Sequence, residues 1–201
     1  MAGSFKLVGK HKILAEKTLA FIGKIFEKRD IDYILEGGTL LGIVRENRLL
    51  PWDTDIDISI RSDQAKKVKR CLWIFWLLGY KTRIKTFKKD VGPFKKGDIR
   101  IIKIQKHFLY LKKYELVDIF VKYKVEDEYL NIIGKKPAIM RNFPSKYLEG
   151  HELIEFNGFK YRVPVACKEY LTLVYGDWET PVKEWDYIKD NKRVKEVIDQ
   201  L

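Results

Sequence analysis

The sequence lacks the features that mark a secreted, zinc-binding or membrane-spanning protein. Its two cysteines, Cys71 and Cys167, lie among apolar neighbours without other ligand-type residues, so we expect free thiols and no zinc site. The longest run without a polar side chain, Cys71–Gly79, has nine residues, too few to cross a bilayer. The N-terminal residues contain no apolar segment that precedes a small-residue cleavage site. These absences favour a cytoplasmic location.

The positive charge of the chain is concentrated in one segment. The chain has 40 basic and 28 acidic side chains in 201 residues, a net charge of +12. Residues 61–113 hold 17 of the basic and 3 of the acidic residues, which accounts for the whole excess. Such a segment favours an anionic partner, which is a nucleic acid, a phosphate-rich ligand or an anionic membrane surface.

The four cations before Trp73 and Trp76 allow two interpretations. One is a helix in peripheral contact with the inner face of an anionic membrane. The other is a core helix whose basic end is solvated. The remaining basic residues of the segment either line an acceptor groove or lie on exposed strand faces.

Hydrophobic periodicity predicts a single mixed α+β domain over residues 1–201, built around a β-sheet. We expect an N-terminal helix over about 6–29, a catalytic core over about 31–181 and a C-terminal helix over about 184–200. Asn157-Gly158 lies between two short alternating segments and predicts a two-residue hairpin turn.

Paired carboxylates are the most informative feature of the chain. The segment DTDIDISI alternates like a strand, which places Asp55 and Asp57 on one face and the intervening isoleucines on the other. Neighbouring carboxylates that point the same way repel each other, and a divalent cation such as Mg²⁺ relieves the repulsion. Asp53 has the same parity, although Pro51 lies just upstream of it. Asp118 is a lone acid on a later apolar strand, ELVDIFV, and completes a three-carboxylate cluster if the two strands pair.

The segment Gly37-Gly38-Thr39 provides a second candidate element. Glycines allow a phosphate to approach the backbone, and the helix that follows offers free N–H groups at its N-terminus. Thr39 is the expected N-cap of this helix. Arg45 lies two turns along the helix and could reach a phosphate. A Gly-Gly-Thr turn, a helix, a D-x-D strand and a later Asp follow in the order typical of the nucleotidyltransferase fold.

These motifs resemble those of the LicD/fukutin-type phosphotransferases. The resemblance rests on GGTLLGIVRENRLLPWDTDIDI, on VDIF around Asp118 and on FNGFKYRVPVACKEYLTLVYGDWETP, and it extends over about 31–181. Thr54 stands where many family members have a further Asp. The resemblance implies a nucleotidyltransferase-like mixed β-sheet flanked by helices. It also implies transfer of a phospho-alcohol, such as phosphocholine or the phosphates of ethanolamine, glycerol or ribitol, from a CDP-linked donor to a hydroxyl of a cell-surface glycan or lipid-linked glycan.

Carried over residue by residue, the resemblance assigns two groups of side chains. The catalytic and metal-binding group, with two Mg²⁺ ions or Mn²⁺ in their place, consists of Asp55, Asp57 and Asp118. Asp118 is also placed to accept the proton of the attacking hydroxyl. The donor- and phosphate-binding group consists of Gly37, Gly38, Thr39, Arg45 and Asp53.

Two other functions use the same features. A nucleotidyltransferase that transfers an NMP from an NTP would need the same carboxylates and a different donor. A nucleic-acid-binding module would use the basic segment, but the sequence has no motif for specific nucleic-acid binding and this function leaves the aspartates unexplained.

Overall fold

The chain folds into an α+β structure in which helices flank a mixed sheet, as the sequence predicts. The computed structural model describes residues 5–108, 112–134, 136–182, 186 and 188–198. The helices of these residues are α1 (Gly9–Lys28), α2 (Gly37–Glu46), α3 (Ala65–Leu77) and α4 (Cys167–Tyr175). The strands are β1 (Ile34–Leu35), β2 (Ile56–Arg61), β3 (Tyr80–Thr86), β4 (Ile99–Phe108), β5 (Lys112–Val125), β6 (Glu128–Gly134), β7 (Ala138–Pro144), β8 (Glu152–Phe156), β9 (Phe159–Val163) and β10 (Val194–Ile198).

Eight strands form one sheet, and β5 is its central member. Neighbours along the sheet run β1-β2-β5-β6-β7-β10, and β5 also pairs with β4, which pairs with β3. The β2–β5 pair is parallel, whereas the other pairs are antiparallel. With 14 residues, β5 is long enough to meet β2, β4 and β6. The strand that carries Asp118 therefore lies directly beside the strand that carries Asp57.

The main hydrophobic core joins residues of helices α1 to α4 to the sheet, and one face of β2 belongs to it. Ile56, Ile58 and Ile60 alternate into this core from β2, and all three are buried. Helix α1 adds a buried stripe at helical spacing that includes Ile22 and Phe26. Because the isoleucines fill this face, the intervening side chains of β2 must point to the other face of the strand.

Local sequence signals place several elements correctly. The helix expected over about 6–29 is α1. The turn between β8 and β9 consists of Asn157 and Gly158, whose φ angles of 49° and 72° are those of a left-handed two-residue hairpin turn. Both cysteines are buried free thiols. No helix of the described residues has the length and apolar character needed to cross a bilayer.

The C-terminal helix expected over about 184–200 is wrong for the residues that the structure describes. Val194–Ile198 is a strand, β10, that pairs antiparallel with β7. Residues 184, 185, 187, 199 and 200 lie outside the described part of the chain. Strands β6 and β7, between residues 128 and 144, have no counterpart among the sequence-based elements.

Candidate active site

The central feature of the site is a pair of aspartates on neighbouring parallel strands. Asp57 of β2 and Asp118 of β5 are register partners, and so are the buried residues that precede them, Ile56 and Val117. Paired residues of adjacent strands project from the same face of a sheet. The condition under which Asp118 would join the cluster, that its strand pairs with β2, is therefore met. Asp118 is itself buried.

Two further carboxylates crowd this face. Burial, and then the charges of Asp118 and Asp53, raise the pKa of Asp55 to about 7. Burial, and then the charges of Asp55, Asp53 and Asp118, hold the pKa of Asp57 well above its usual range. Desolvation likewise raises the pKa of Asp53. All three pKa shifts mean that ionising these aspartates costs free energy in the folded chain. A bound cation would lower that cost.

A lysine of β4 supplies part of that positive charge. Lys103 is the register partner of Asp118 on its other side, and its Nζ lies 2.9 Å from Oδ1 and 2.7 Å from Oδ2 of that carboxylate. Both side chains are buried. Sequence reasoning missed Lys103 because it is one of many cations in the basic segment. Its position between Ile102 and Ile104 could have identified it. Both isoleucines are buried, so strand alternation places Lys103 on the opposite face of β4.

Gly37 and Gly38 make room for the carboxylates. A Cβ at Gly37, whose φ is +58°, would lie 2.1 Å from Asp57 Oδ2. A Cβ at Gly38 would lie 1.9 Å from Asp53 Oδ2. Both distances are far inside van der Waals contact, so no residue with a side chain fits without displacing an aspartate. The glycines therefore have a packing role that the sequence did not suggest, and their contact with a donor phosphate stays a prediction.

Thr39 is not the N-cap of α2, contrary to the expectation. The helix begins two residues earlier, at Gly37, with Glu36 in the N-cap position. The Thr39 hydroxyl instead accepts a hydrogen bond of 2.9 Å from the backbone N–H of Asp57. The backbone N–H of Glu36 donates to the carbonyl of Asp57 at 3.1 Å. These two bonds fix the start of α2 against the strand that carries Asp57.

Beside the aspartates lies a buried charge network that sequence reasoning also missed. Glu36 forms ion pairs with Lys122 at 2.8 Å and with Arg141 at 3.4 Å, and it accepts a hydrogen bond from the Ser59 hydroxyl. The Lys122 Nζ also lies 3.4 Å from the centre of the Phe143 ring. Burial lowers the pKa of Lys122 to about 8, although the Glu36 charge opposes the shift. Arg141 Nη2 is the atom that pairs with Glu36, and among the described residues it makes no hydrogen bond in addition to that ion pair.

Asp53 and Asp57, with Glu36 and Arg141 of the charge network, line one cleft of about 1460 Å³, whereas Asp55 and Asp118 are not among its lining residues. Its lining includes Gly37, Gly38, Asp53 and Asp57 together with the side chains of Arg45 and Arg141. Both charge signs therefore face the same cavity, as a site for an anion with a bound cation requires.

Arg45 and Trp52 also lie at this cleft. Arg45 Nη1 donates to the carbonyl of Trp178 at 3.2 Å, while the rest of its guanidinium pairs with Glu46. Trp52, the aromatic side chain nearest the D-x-D segment in sequence, lines the cleft and is half exposed. The structure thus brings Arg45 to the cleft that Gly37, Gly38, Asp53 and Asp57 line.

The chemistry of the donor set fits a hard divalent cation. Carboxylate oxygens are the preferred ligands of Mg²⁺ and Mn²⁺, and four aspartates in mutual repulsion lie on one face of the structure. Within the described residues, no three of these groups already converge on one point at ligation distance. Asp55 and Asp57 are the pair that would hold the cation, with Asp53 and Asp118 next to them.

A mixed sheet flanked by helices is the fold that the sequence predicts for a nucleotidyltransferase-like domain. Residues 30–166 match the family model described as "LicD/FKTN/FKRP, nucleotidyltransferase domain". This match covers more than half of the chain, which therefore belongs to the LicD/FKTN/FKRP family.

Individual relatives are distant. An uncharacterized protein of Rickettsia prowazekii is 24% identical over 78% of this chain and 50% of its own length. Ribitol-5-phosphate transferase FKTN of Homo sapiens is 25% identical over 90% of this chain and 36% of its own length. Lipopolysaccharide cholinephosphotransferase LicD of Haemophilus influenzae is 31% identical over 29% of this chain and 22% of its own. The chain thus spans half or less of the length of these relatives.

A solved structure also matches this chain, at low identity. The crystal structure of ANT(2")-Ia in complex with adenylyl-2"-tobramycin has a TM-score of 0.45 and 11% identity, over 87% of this chain and 82% of that one.

Proposed function

We propose that this chain is a cation-dependent phosphotransferase that moves a phospho-alcohol from a CDP-linked donor to a hydroxyl of a glycan. The observation that carries the proposal is the register pairing of Asp57 with Asp118 beside a cleft that also presents Arg45 and Arg141. The family supports the same reaction class, since two of its members are named as transferases of ribitol phosphate and of phosphocholine.

In this proposal a cation held by aspartates and two guanidinium groups together offset the negative charge of the donor. Asp55 and Asp57 would hold the divalent cation, and Arg45 and Arg141, which line the same cleft as Asp57, would contact the diphosphate. A bound cation supplies positive charge for the diphosphate and lowers the pKa of the attacking hydroxyl. The hydroxyl oxygen forms a bond to the phosphorus that carries the alcohol. The bond from that phosphorus to the bridging oxygen breaks, and CMP leaves with the electron pair.

The structure changes the role proposed for Asp118. Both of its carboxylate oxygens are in contact with Lys103, so it could accept a proton only by giving up that ion pair. We therefore propose that Asp118 contributes a negative charge beside Asp57 and does not act as the base. The hydroxyl proton would pass to water in the open cleft. Lys103 in turn orients Asp118.

Calorimetric titration with a panel of nucleotides tests the proposal without knowledge of the acceptor. Wild type and Asp57→Asn would be titrated with CDP, CDP-choline, CDP-glycerol and ATP, each with Mg²⁺. Asp30→Asn is the matched control, because Asp30 is a fully exposed aspartate outside the cleft. Selective binding of cytidine nucleotides that Asp57→Asn loses and Asp30→Asn keeps supports the proposal.

Two other outcomes would overturn the proposal. A preference for ATP would assign the chain to NMP transfer, which uses the same carboxylates. Binding that needs no cation and extends to any polyanion would favour a nucleic-acid-binding module.

A further inference from the structure

Helix α3 exposes an unusual amount of apolar surface. Trp73 is 55% exposed, Trp76 is 71% exposed and Leu77 is 65% exposed. Leu78, which follows the helix, is 49% exposed. Large apolar side chains that cluster at the surface usually mark an interaction site rather than a random surface.

The exposed side chains share one face of the helix with cations. The buried residues of α3 recur at helical spacing and include Val68, Cys71 and Phe75. On the opposite face, successive turns carry exposed Lys66, then Lys69 and Arg70, then Trp73, then Trp76 and Leu77. At about 100° per residue these six side chains fall within a sector of about 120°. The face is basic in its first half and aromatic in its second half.

The positive charge continues onto the neighbouring strand. Strand β3 is an edge of the main sheet, since it pairs with β4 alone among the described strands. Its Lys81 and Arg83 are exposed, and so is Ile84. Acidic residues are scarce in this part of the chain, where only Asp63, Asp90 and Asp98 oppose the 17 cations of residues 61–113. Asp90 already pairs with Lys95.

We propose that the outer face of α3, defined by Lys66, Lys69, Arg70, Trp73, Trp76 and Leu77, docks onto the surface of an anionic lipid bilayer. Cations beside Trp and Leu match an interfacial helix, whose apolar side chains enter the boundary between headgroups and acyl chains while the cations meet anionic headgroups. Lysine and arginine stems can also bury their methylenes along such a surface. Nucleic acid complements the cations equally well, but it offers no apolar environment for Leu77 and Leu78.

This docking is independent of the proposed transferase activity. None of the six side chains lines the cleft that contains the aspartates. The transferase proposal can therefore fail while membrane docking holds, and the reverse is also possible.

Vesicle co-sedimentation of the full chain tests the proposal. The vesicles are phosphatidylcholine alone or phosphatidylcholine with 30% phosphatidylglycerol as a chosen composition, on the order of physiological anionic content. The variants are Trp73→Ser/Trp76→Ser and Lys66→Gln/Lys69→Gln/Arg70→Gln. The control is Leu153→Ser/Val197→Ser, because these two apolar side chains are also exposed but lie far from α3 in sequence.

We expect wild type and the control to sediment with anionic vesicles and to stay in solution with neutral ones. The triple charge variant should partition on the order of a hundredfold more weakly, since each cation near an anionic surface is worth roughly fivefold in binding. The tryptophan variant should lose binding at physiological salt while its near-UV circular dichroism retains the pattern of a folded chain.

Three results would overturn the docking proposal. One is equal binding of wild type to neutral and anionic vesicles. Another is undiminished binding by the tryptophan variant. The last is binding to RNA without binding to vesicles, which would assign the basic face to nucleic acid.

Discussion

Lys103 and Asp118 face each other across the antiparallel strands β4 and β5, and the lysine Nζ contacts both carboxylate oxygens at 2.9 and 2.7 Å. Because both side chains are buried, their ion pair is protected from screening by water and salt. It holds Asp118 in place next to Asp57. The candidate site thus depends on a basic residue as much as on its acidic ones.

We expect Lys103→Met to destabilise the fold by about 3–5 kcal/mol, because it removes the ammonium from a buried carboxylate. Adding Asp118→Asn should recover part of that loss, since the buried negative charge is then gone as well. Urea unfolding of the two single variants and the double variant measures the coupling. Lys88→Met, at an exposed position, is the control. Strictly additive effects of the two substitutions would contradict the ion pair.

Gly38→Ala should destabilise the chain by about 1–3 kcal/mol, because the new methyl group must displace the Asp53 carboxylate. The clash distance of 1.9 Å involves a side-chain oxygen, so Gly38→Ala/Asp53→Ala should cost less than Gly38→Ala does alone. Thermal unfolding of the three variants checks this order. If the double variant were the least stable, the glycine would be needed for another reason.

The stability of the metal-free chain should fall as the pH rises from about 4 to about 7. The pKa of Asp55 is raised to about 7 in the folded state and is about 3.9 in an unfolded chain, so the unfolded state releases its proton first. This loss of stability is absent below the pKa of Asp55 in the unfolded state and complete above its pKa in the folded state. Melting temperatures in EDTA at pH 5 and pH 8 measure it.

The matched variants for this pH effect are Asp55→Asn and the exposed Asp30→Asn. The decline should be smaller in Asp55→Asn and unchanged in Asp30→Asn. Mg²⁺ should raise the melting temperature more at pH 8 than at pH 5, because it binds the ionised carboxylates. If the melting temperature of Asp55→Asn fell with pH as much as that of wild type, groups other than Asp55 would cause the decline.

Arg141→Lys should weaken the binding of a CDP-linked donor by roughly tenfold, the loss expected for one charge-assisted hydrogen bond. Lysine keeps a positive charge near Glu36 but lacks the planar guanidinium, whose Nη2 lies 3.4 Å from Glu36 and makes no hydrogen bond among the described residues. Affinity for cytidine, which has no phosphate, should be unaffected. Arg100→Lys is the control, since that guanidinium lies outside the cleft. Equal donor affinity in Arg141→Lys and wild type would place the diphosphate elsewhere.

The sequence predicts the parts of the site that local patterns determine. Alternation within β2 is enough to place Asp57, whereas Asp55 lies one residue before the strand begins. A two-residue signal is enough for the Asn157-Gly158 hairpin. The pairing of Asp118 with Asp57 could be stated only as a condition, because it requires two strands that lie about 60 residues apart to be neighbours.

Other residues could not be found because their roles arise from contacts between distant segments. Glu36 meets Arg141 across more than 100 residues of sequence, and neither has a local pattern that predicts the ion pair. Strand β10 was expected as a helix for a related reason. Its side chains are mostly exposed, so it shows no hydrophobic alternation, and its hydrogen bonds come from pairing with β7.

The most direct test of the central claim is to measure CMP released from CDP-choline and CDP-glycerol by the full chain, with Mg²⁺ and with EDTA, using water or added glycans as acceptors. We predict cation-dependent release that Asp57→Asn reduces to below a few per cent and Asp30→Asn leaves intact. Undiminished release by Asp57→Asn would contradict the role of the paired aspartates. Pyrophosphate release from an NTP, with no CMP from any CDP-linked donor, would contradict phospho-alcohol transfer itself.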